Sequence, residues 1–214
     1  MSDRVRETKI TYMKKIFMKQ IHSSDIAIMD ASNITNGNEL QIVQNVDGLV
    51  TKLNNTALAV YGADCCMIAF WDHQTIGVCH AGWRGLVTGV IENMLNHFDR
   101  EQLVCHIAPF YHSFEIKKDD CYQKVLEKFG NHYFECDVEK IIFHFKRAIL
   151  SLFEKVYVSI DNRSTFHHYP TLASWRASNL KGNGTQNRLV VWRNDHGQVF
   201  HKLFPPAEKI ILTD

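Results

Sequence analysis

Apolar positions along the chain follow two rhythms. Residues 57–61, 67–71, 75–80 and 103–108 are short runs with few polar interruptions, bounded by turn formers. Their length and flanks predict buried strands. Between the third and fourth, Leu86, Val87, Val90, Ile91, Met94, Leu95 and Phe98 recur at helical spacing while Glu92, Asn93 and Asn96 fall on the opposite side. That stripe predicts a one-sided helix over 86–98. A second helix is expected over 119–129, ended by Gly130 as a C-terminal cap. A third is expected over 138–152, where Val138, Ile141, Ile142, Phe145, Ile149 and Leu152 form a stripe after Asp137, a natural N-cap. Strand patterns then return at 156–160, 189–192, 199–203 and 210–212. The polar, aromatic-spotted stretch 161–187 between them is long, and connections of that length commonly carry function. The alternation predicts one domain over 1–214 of α/β (α+β) class, with helices packed on sheet faces.

Composition narrows the partners. The 214 residues carry 24 Lys and Arg against 23 Asp and Glu, a formal charge of +1, with no block of either sign. Nucleic acid and membrane surfaces are therefore not expected as partners. Six cysteines would permit disulfides. Residues 1–19 are charged throughout without a signal-peptide core, however, and no later stretch reaches transmembrane length. A cytoplasmic, reducing location with free thiols is the expectation.

Chemistry concentrates in two turns, Gly62-Ala63-Asp64-Cys65 and His80-Ala81-Gly82-Trp83-Arg84-Gly85. Each follows a predicted strand, so a soft thiolate and an imidazole reach the same sheet edge if the strands are neighbours. Such a pair suits a metal or a nucleophile with its base. Arg84 adds a planar cation where the next helix begins, a setting that favours a phosphate or carboxylate. Cys66 and Cys79 alternate to the other face and are read as core. Asp64 is either a proton carrier or a turn carboxylate bonded to local backbone. A catalytic zinc needs a third protein ligand, and spacing does not select one among twelve histidines.

The two turns resemble the paired signatures of the YfiH-like, or laccase-domain, family, whose usual forms are Thr-Ala-Asp-Cys and His-Ala-Gly-Trp-Arg-Gly. The second is matched at six consecutive residues. Gln20-Ile21-His22, Asp47-Gly48-Leu49-Val50-Thr51, Ile107-Ala108-Pro109 through Phe114-Glu115, Ser174-Trp175-Arg176 and Asn187-Arg188 resemble further family segments. The resemblance implies a sandwich of mixed β-sheets flanked by helices. It implies zinc (Zn2+) on His22, Cys65 and His80, Arg84 beside the reacting group, and Ser174, Arg176 and Arg188 near the substrate. It further implies phosphorolysis of adenosine- or inosine-type purine nucleosides with phosphate as co-substrate, and adenosine deamination in some members.

The family was first described as multicopper polyphenol oxidases. Several coppers call for clustered His-x-His pairs, which this chain lacks, so copper is less favoured than zinc. Departures cluster near the pocket: Gly62 stands for Thr, Cys66-Met67 for an apolar residue and Pro, Ala108 for Gly and Trp175 for Tyr. Two rival functions stay open. One is a cysteine hydrolase or amidase using Cys65, peptidoglycan-precursor editing included; the other is a non-catalytic protein that binds a nucleoside or metal. Oligomeric state is not readable.

Overall fold

A computed structural model describes residues 14–35, 40–137, 139–178 and 185–206. In chain order the elements are β1 (Lys14–Lys19), β2 (Ile26–Met29), β3 (Leu40–Gln44), β4 (Gly48–Thr51), β5 (Thr56–Gly62), β6 (Cys66–Trp71), β7 (Ile76–Ala81), α1 (Trp83–Thr88) and α2 (Val90–Leu95). There follow β8 (Val104–Ile107), β9 (Phe114–Ile116), α3 (Asp120–Phe129), β10 (Phe134–Cys136), β11 (Ile141–Phe143), α4 (Phe145–Leu150), β12 (Tyr157–Ile160), β13 (Asn187–Arg193) and β14 (Val199–Phe204).

Two mixed sheets stack. The first has the order β14-β13-β5-β1-β3, the second β12-β8-β6-β7-β4-β2, and a small sheet β10-β11-β9 lies beside them. The central strands read as unbroken apolar runs because both faces are covered. On β6, Cys66, Ile68 and Phe70 join the core under the helices, while Met67 and Ala69 join the layer between the sheets. On β7, Cys79 takes the helix side, and Ile76 and Val78 the inter-sheet side. The first sheet supplies Ile16, Met18, Leu58, Val60, Leu189 and Val191 to that middle layer. Cys66 and Cys79 are wholly buried, where burial raises both thiols far above the ordinary range. All six thiols are free. No helix among the described residues is long and apolar enough to cross a membrane.

The mixed α/β sandwich expected from the sequence is the observed architecture, with three differences of detail. The 86–98 stripe begins earlier, at Trp83, and is interrupted at Gly89, whose φ of 95° caps α1 and starts α2. The 138–152 helix is not formed as expected: residues 141–143 are β11, paired on both sides, and only 145–150 are helical. Phe143 packs edge to face against Phe114 and also against Phe134 and Phe145. That aromatic cluster rewards a strand register at 141–143 over the helical periodicity of this stretch. Strands β1 to β4 were not visible in the hydropathy pattern: all four are short with polar flanks, and β2 and β3 lie at sheet edges. The 210–212 strand expectation and Val138 lie outside the described residues.

Topology then brings the two turns together. Strands β6 and β7 pair antiparallel, with Cys66 opposite Ala81 and Met67 opposite His80. The start of β6 therefore meets the end of β7. Strand β1 runs parallel to β5, so the residues after each strand emerge at the same end of the first sheet.

Candidate functional site

His22, Cys65 and His80 meet at this shared end, with one donor atom from each lying within 4.8 Å of the others. Cys65 Sγ is 3.9 Å from His22 Nε2. The two imidazoles sit edge to face with centroids 4.8 Å apart. Around a tetrahedral zinc, S and N ligands stand about 3.5 Å apart, so small inward shifts would close the set. His22 is exposed, Cys65 half-buried and His80 buried, leaving one side open to the cleft. Three donors of N, S and N type with an open side form a group that could hold a metal ion.

The electrostatics match that donor set. Burial alone would push the Cys65 thiol up, but hydrogen bonds and charge from His22 and His80 outweigh it and draw it down to about 6. Burial would push His80 down, yet the Asp47 carboxylate and the Cys65 sulfur hold its imidazole up at about 9. His80 Nδ1 donates to Asp47 Oδ1 at 2.8 Å, which turns Nε2 toward the other donors. Asp47 is completely buried and was not singled out for a role by the sequence. A charge at the head of an otherwise buried strand is the signal that would have found it.

Space is reserved for the ligands. A Cβ on Gly82 would lie 2.8 Å from His22 Cδ2 and 3.1 Å from Cys65 Sγ. The first glycine of the His-Ala-Gly-Trp-Arg-Gly turn is therefore a clearance residue for two donors.

A cleft of about 860 Å³ opens over the three donors. Tyr61, Tyr111, Phe114 and Trp175 give it aromatic walls, and Arg84 and Arg176 line it as well. Each guanidinium rests on a ring: Arg84 is 4.6 Å from the Trp83 centroid and Arg176 is 4.6 Å from that of Phe114. Neither has a carboxylate at ion-pair distance among the described residues. Arg84 lies in the first turn of α1, a six-residue helix whose own dipole is small, so the anion-favouring charge here is that of the two arginines.

A family profile described as multi-copper polyphenol oxidoreductase laccase matches residues 2–193. The chain belongs to that laccase-like family. Relatives within reach include a purine nucleoside phosphorylase of Rickettsia conorii, 32% identical over 129 residues, covering 56% of this chain and 54% of that protein. A purine nucleoside phosphorylase of Staphylococcus aureus strain COL is 32% identical over 111 residues, covering 49% of this chain and 42% of the relative. The chain spans about half the length of the curated relatives it matches. Among solved structures, a Neisseria meningitidis DUF152 protein superposes with a TM-score of 0.71 at 22% identity, covering 85% of this chain and 76% of its own. YlmD from Geobacillus stearothermophilus gives a TM-score of 0.69 at 21% identity, covering 87% and 75%. These likenesses establish the laccase-like fold.

The remaining predicted site residues separate into groups. Asp64, at φ 87°, bonds to a distant segment rather than to local backbone: Oδ1 accepts from Thr165 Oγ1 at 2.7 Å and Oδ2 from the Arg176 N–H at 2.8 Å. It ties the 161–178 arm to the Cys65 turn. Ser174 is buried, and its hydroxyl accepts the Ala177 N–H, which makes it a turn residue beneath the cleft wall. Arg188 lies on β13 opposite Tyr61, where its charge counteracts the burial that raises the Tyr61 hydroxyl. Two departures from the laccase-like signature meet in space: a Cβ on Gly62 would lie 2.9 Å from Met67 Cγ. Met67 fills the room that a larger residue at 62 would need.

Proposed function

We propose that the chain is a metal-dependent purine nucleoside enzyme that cleaves the glycosidic bond by phosphorolysis. The observation that carries this is the convergence of His22, Cys65 and His80 beneath a cleft with aromatic walls and two cations that have no carboxylate at ion-pair distance among the described residues. The phosphorylase names of the relatives support the same reading. A purine is flat and stacks on rings such as Tyr111, Phe114 and Trp175, while phosphate pairs with planar guanidinium groups. Arg84 and Arg176 would hold phosphate against the ribose anomeric carbon, where positive charge develops as the bond to the base stretches. A phosphate oxygen forms the new bond to that carbon, and the base leaves with the electron pair and gains a proton.

The donor set fits zinc, held by His22, Cys65 and His80, which when bound supplies Lewis acidity suited to phosphorolysis and to hydrolytic deamination of adenosine alike. Among the described residues this is one group of donors, not the several clusters that multicopper oxidation requires. Asp64 acts in this scheme by positioning Arg176.

Incubation of inosine and adenosine with and without phosphate tests the reading. Phosphate-dependent release of free base and ribose 1-phosphate is expected, with loss of turnover in Cys65→Ala. No turnover of any nucleoside by zinc-loaded protein would overturn it.

A second reading is favoured by one observation. A depressed thiol, an imidazole and a buried carboxylate on the far ring nitrogen have the order of a nucleophile, its base and an orienting group. In a cysteine hydrolase or amidase, Cys65 would be alkylated rapidly in metal-replete protein; protection by metal supports the nucleoside enzyme.

A further inference from the structure

The carboxylate of Asp47 accepts five hydrogen bonds. Oδ1 takes His80 Nδ1–H at 2.8 Å and the His22 peptide N–H at 3.1 Å. Oδ2 takes the Ile21 N–H at 3.1 Å, the Ser23 N–H at 2.7 Å and the Ser23 hydroxyl at 3.1 Å. The Asp47 carbonyl also accepts the His80 N–H at 2.8 Å. A carboxylate offers about four lone-pair sites, so this one is filled by donors and has none left for solvent. Successive peptide N–H groups of 21–23 wrap around it, and the backbone at His22 takes φ 64°, a left-handed conformation uncommon for any residue with a side chain. One oxygen thus addresses both imidazoles of the donor set: the ring of His80 directly, and the main chain that aims His22.

We propose that Asp47 is the positioning residue of this metal site, a single buried carboxylate that sets the ring tautomer of His80 and the left-handed backbone of His22 together. The inference rests on the metal reading given above. Its chemistry is specific. With Nδ1–H donated to Asp47, His80 must present the Nε2 lone pair to the ion. An asparagine at 47 keeps the shape but turns an NH2 toward backbone or ring donors, so either the 21–23 loop or the His80 ring loses its partner.

The test uses cobalt(II) and zinc on the intact chain, with uptake followed by thiolate charge-transfer absorption and by chelator competition. Asp47→Asn should bind 10- to 100-fold more weakly, the range expected when a partner of a ligating histidine is lost. Asp72→Asn is the control for losing a buried turn carboxylate elsewhere, since Asp72 accepts the N–H groups of Gln74, Thr75 and Asp99 away from the site. It should lower thermal stability but leave metal affinity within twofold. Long-range 1H–15N spectra of the zinc-loaded native chain should show His80 protonated at Nδ1, a readout that stands even where Asp47→Asn fails to fold. Ligation through His80 Nδ1, or an Asp47→Asn affinity within twofold of the native chain, overturns the inference. If the native chain takes up no ion, the metal reading falls first and this inference with it.

Discussion

Gly82→Ala separates the metal site from the fold more cleanly than removing a ligand does. Gly82 has φ −76° and ψ 171°, extended backbone open to any residue, so alanine introduces no main-chain strain. By itself the change would narrow the unfolded ensemble and stabilise the protein by about 0.4–1 kcal/mol. The added methyl, however, stands 2.8 Å from His22 Cδ2 and 3.1 Å from Cys65 Sγ. Carbon contacts are comfortable at about 3.5–4.0 Å, so the ring must retreat by roughly 0.7 Å or more. The ion-free protein can absorb that, because His22 is exposed and free to swing toward solvent. A bound ion cannot, since its ligand distances tolerate only about 0.2 Å. Zinc affinity should fall roughly 10- to 100-fold, about 1.4–2.8 kcal/mol, while the melting temperature in EDTA stays within a few degrees of the native value. Chelator competition gives the first quantity and calorimetry in EDTA the second. An unchanged affinity would refute the clearance argument. A parallel fall in EDTA stability would show that Gly82 serves the fold instead.

Three further outcomes are expected. With Cys65 already a thiolate above about 6 and His80 holding its proton up to about 9, an incoming ion displaces one proton at neutral pH. Apparent metal affinity should therefore rise close to tenfold per pH unit from about 7 to about 9 and then level, and a flat profile by competition titration would contradict it. Gly62→Thr should cost about 1–3 kcal/mol by collision with Met67, and Met67→Ala in the same chain should recover part of it. Strict additivity of the two in urea unfolding would rule out the contact. His106 is held down to about 4 by burial, with the nearby His201 adding to the effect. The unfolded chain binds a proton near its ordinary value and the folded one refuses it. Stability is therefore full above about 6.5 and falls as pH drops toward 4. His106→Gln should flatten that dependence between pH 7.5 and 5, as read by urea midpoints.

Legibility in the sequence followed burial. Strands β5 to β7 were visible because both faces are covered, which leaves apolar runs that no surface helix shows. The helix after β7 was visible as a stripe, yet its break was not, since one glycine at 89 weighs little in a periodicity. Ile141 and Ile142 fit a helical stripe as well as a strand, and only their pairing with β9 and β10 decides the matter. In the site, Cys65 and His80 could be paired by reasoning alone, because turns at the ends of neighbouring antiparallel strands must meet. His22 could not, being 43 residues from Cys65 and delivered by a parallel strand of the other sheet, so it rested on resemblance. Asp47 and the aromatic walls of the cleft come from separate segments whose meeting no local pattern encodes.

Placing the three donors on both sheets has a consequence for assembly. His22 leaves the first sheet at β1, His80 ends β7 in the second, and Cys65 sits in the passage from β5 to β6 that joins them. No half of the sandwich holds a complete ligand set. If the three donors share an ion, its uptake waits until the layers have docked, and the appearance of cobalt absorption during refolding would clock the last long-range event rather than the formation of any single hairpin.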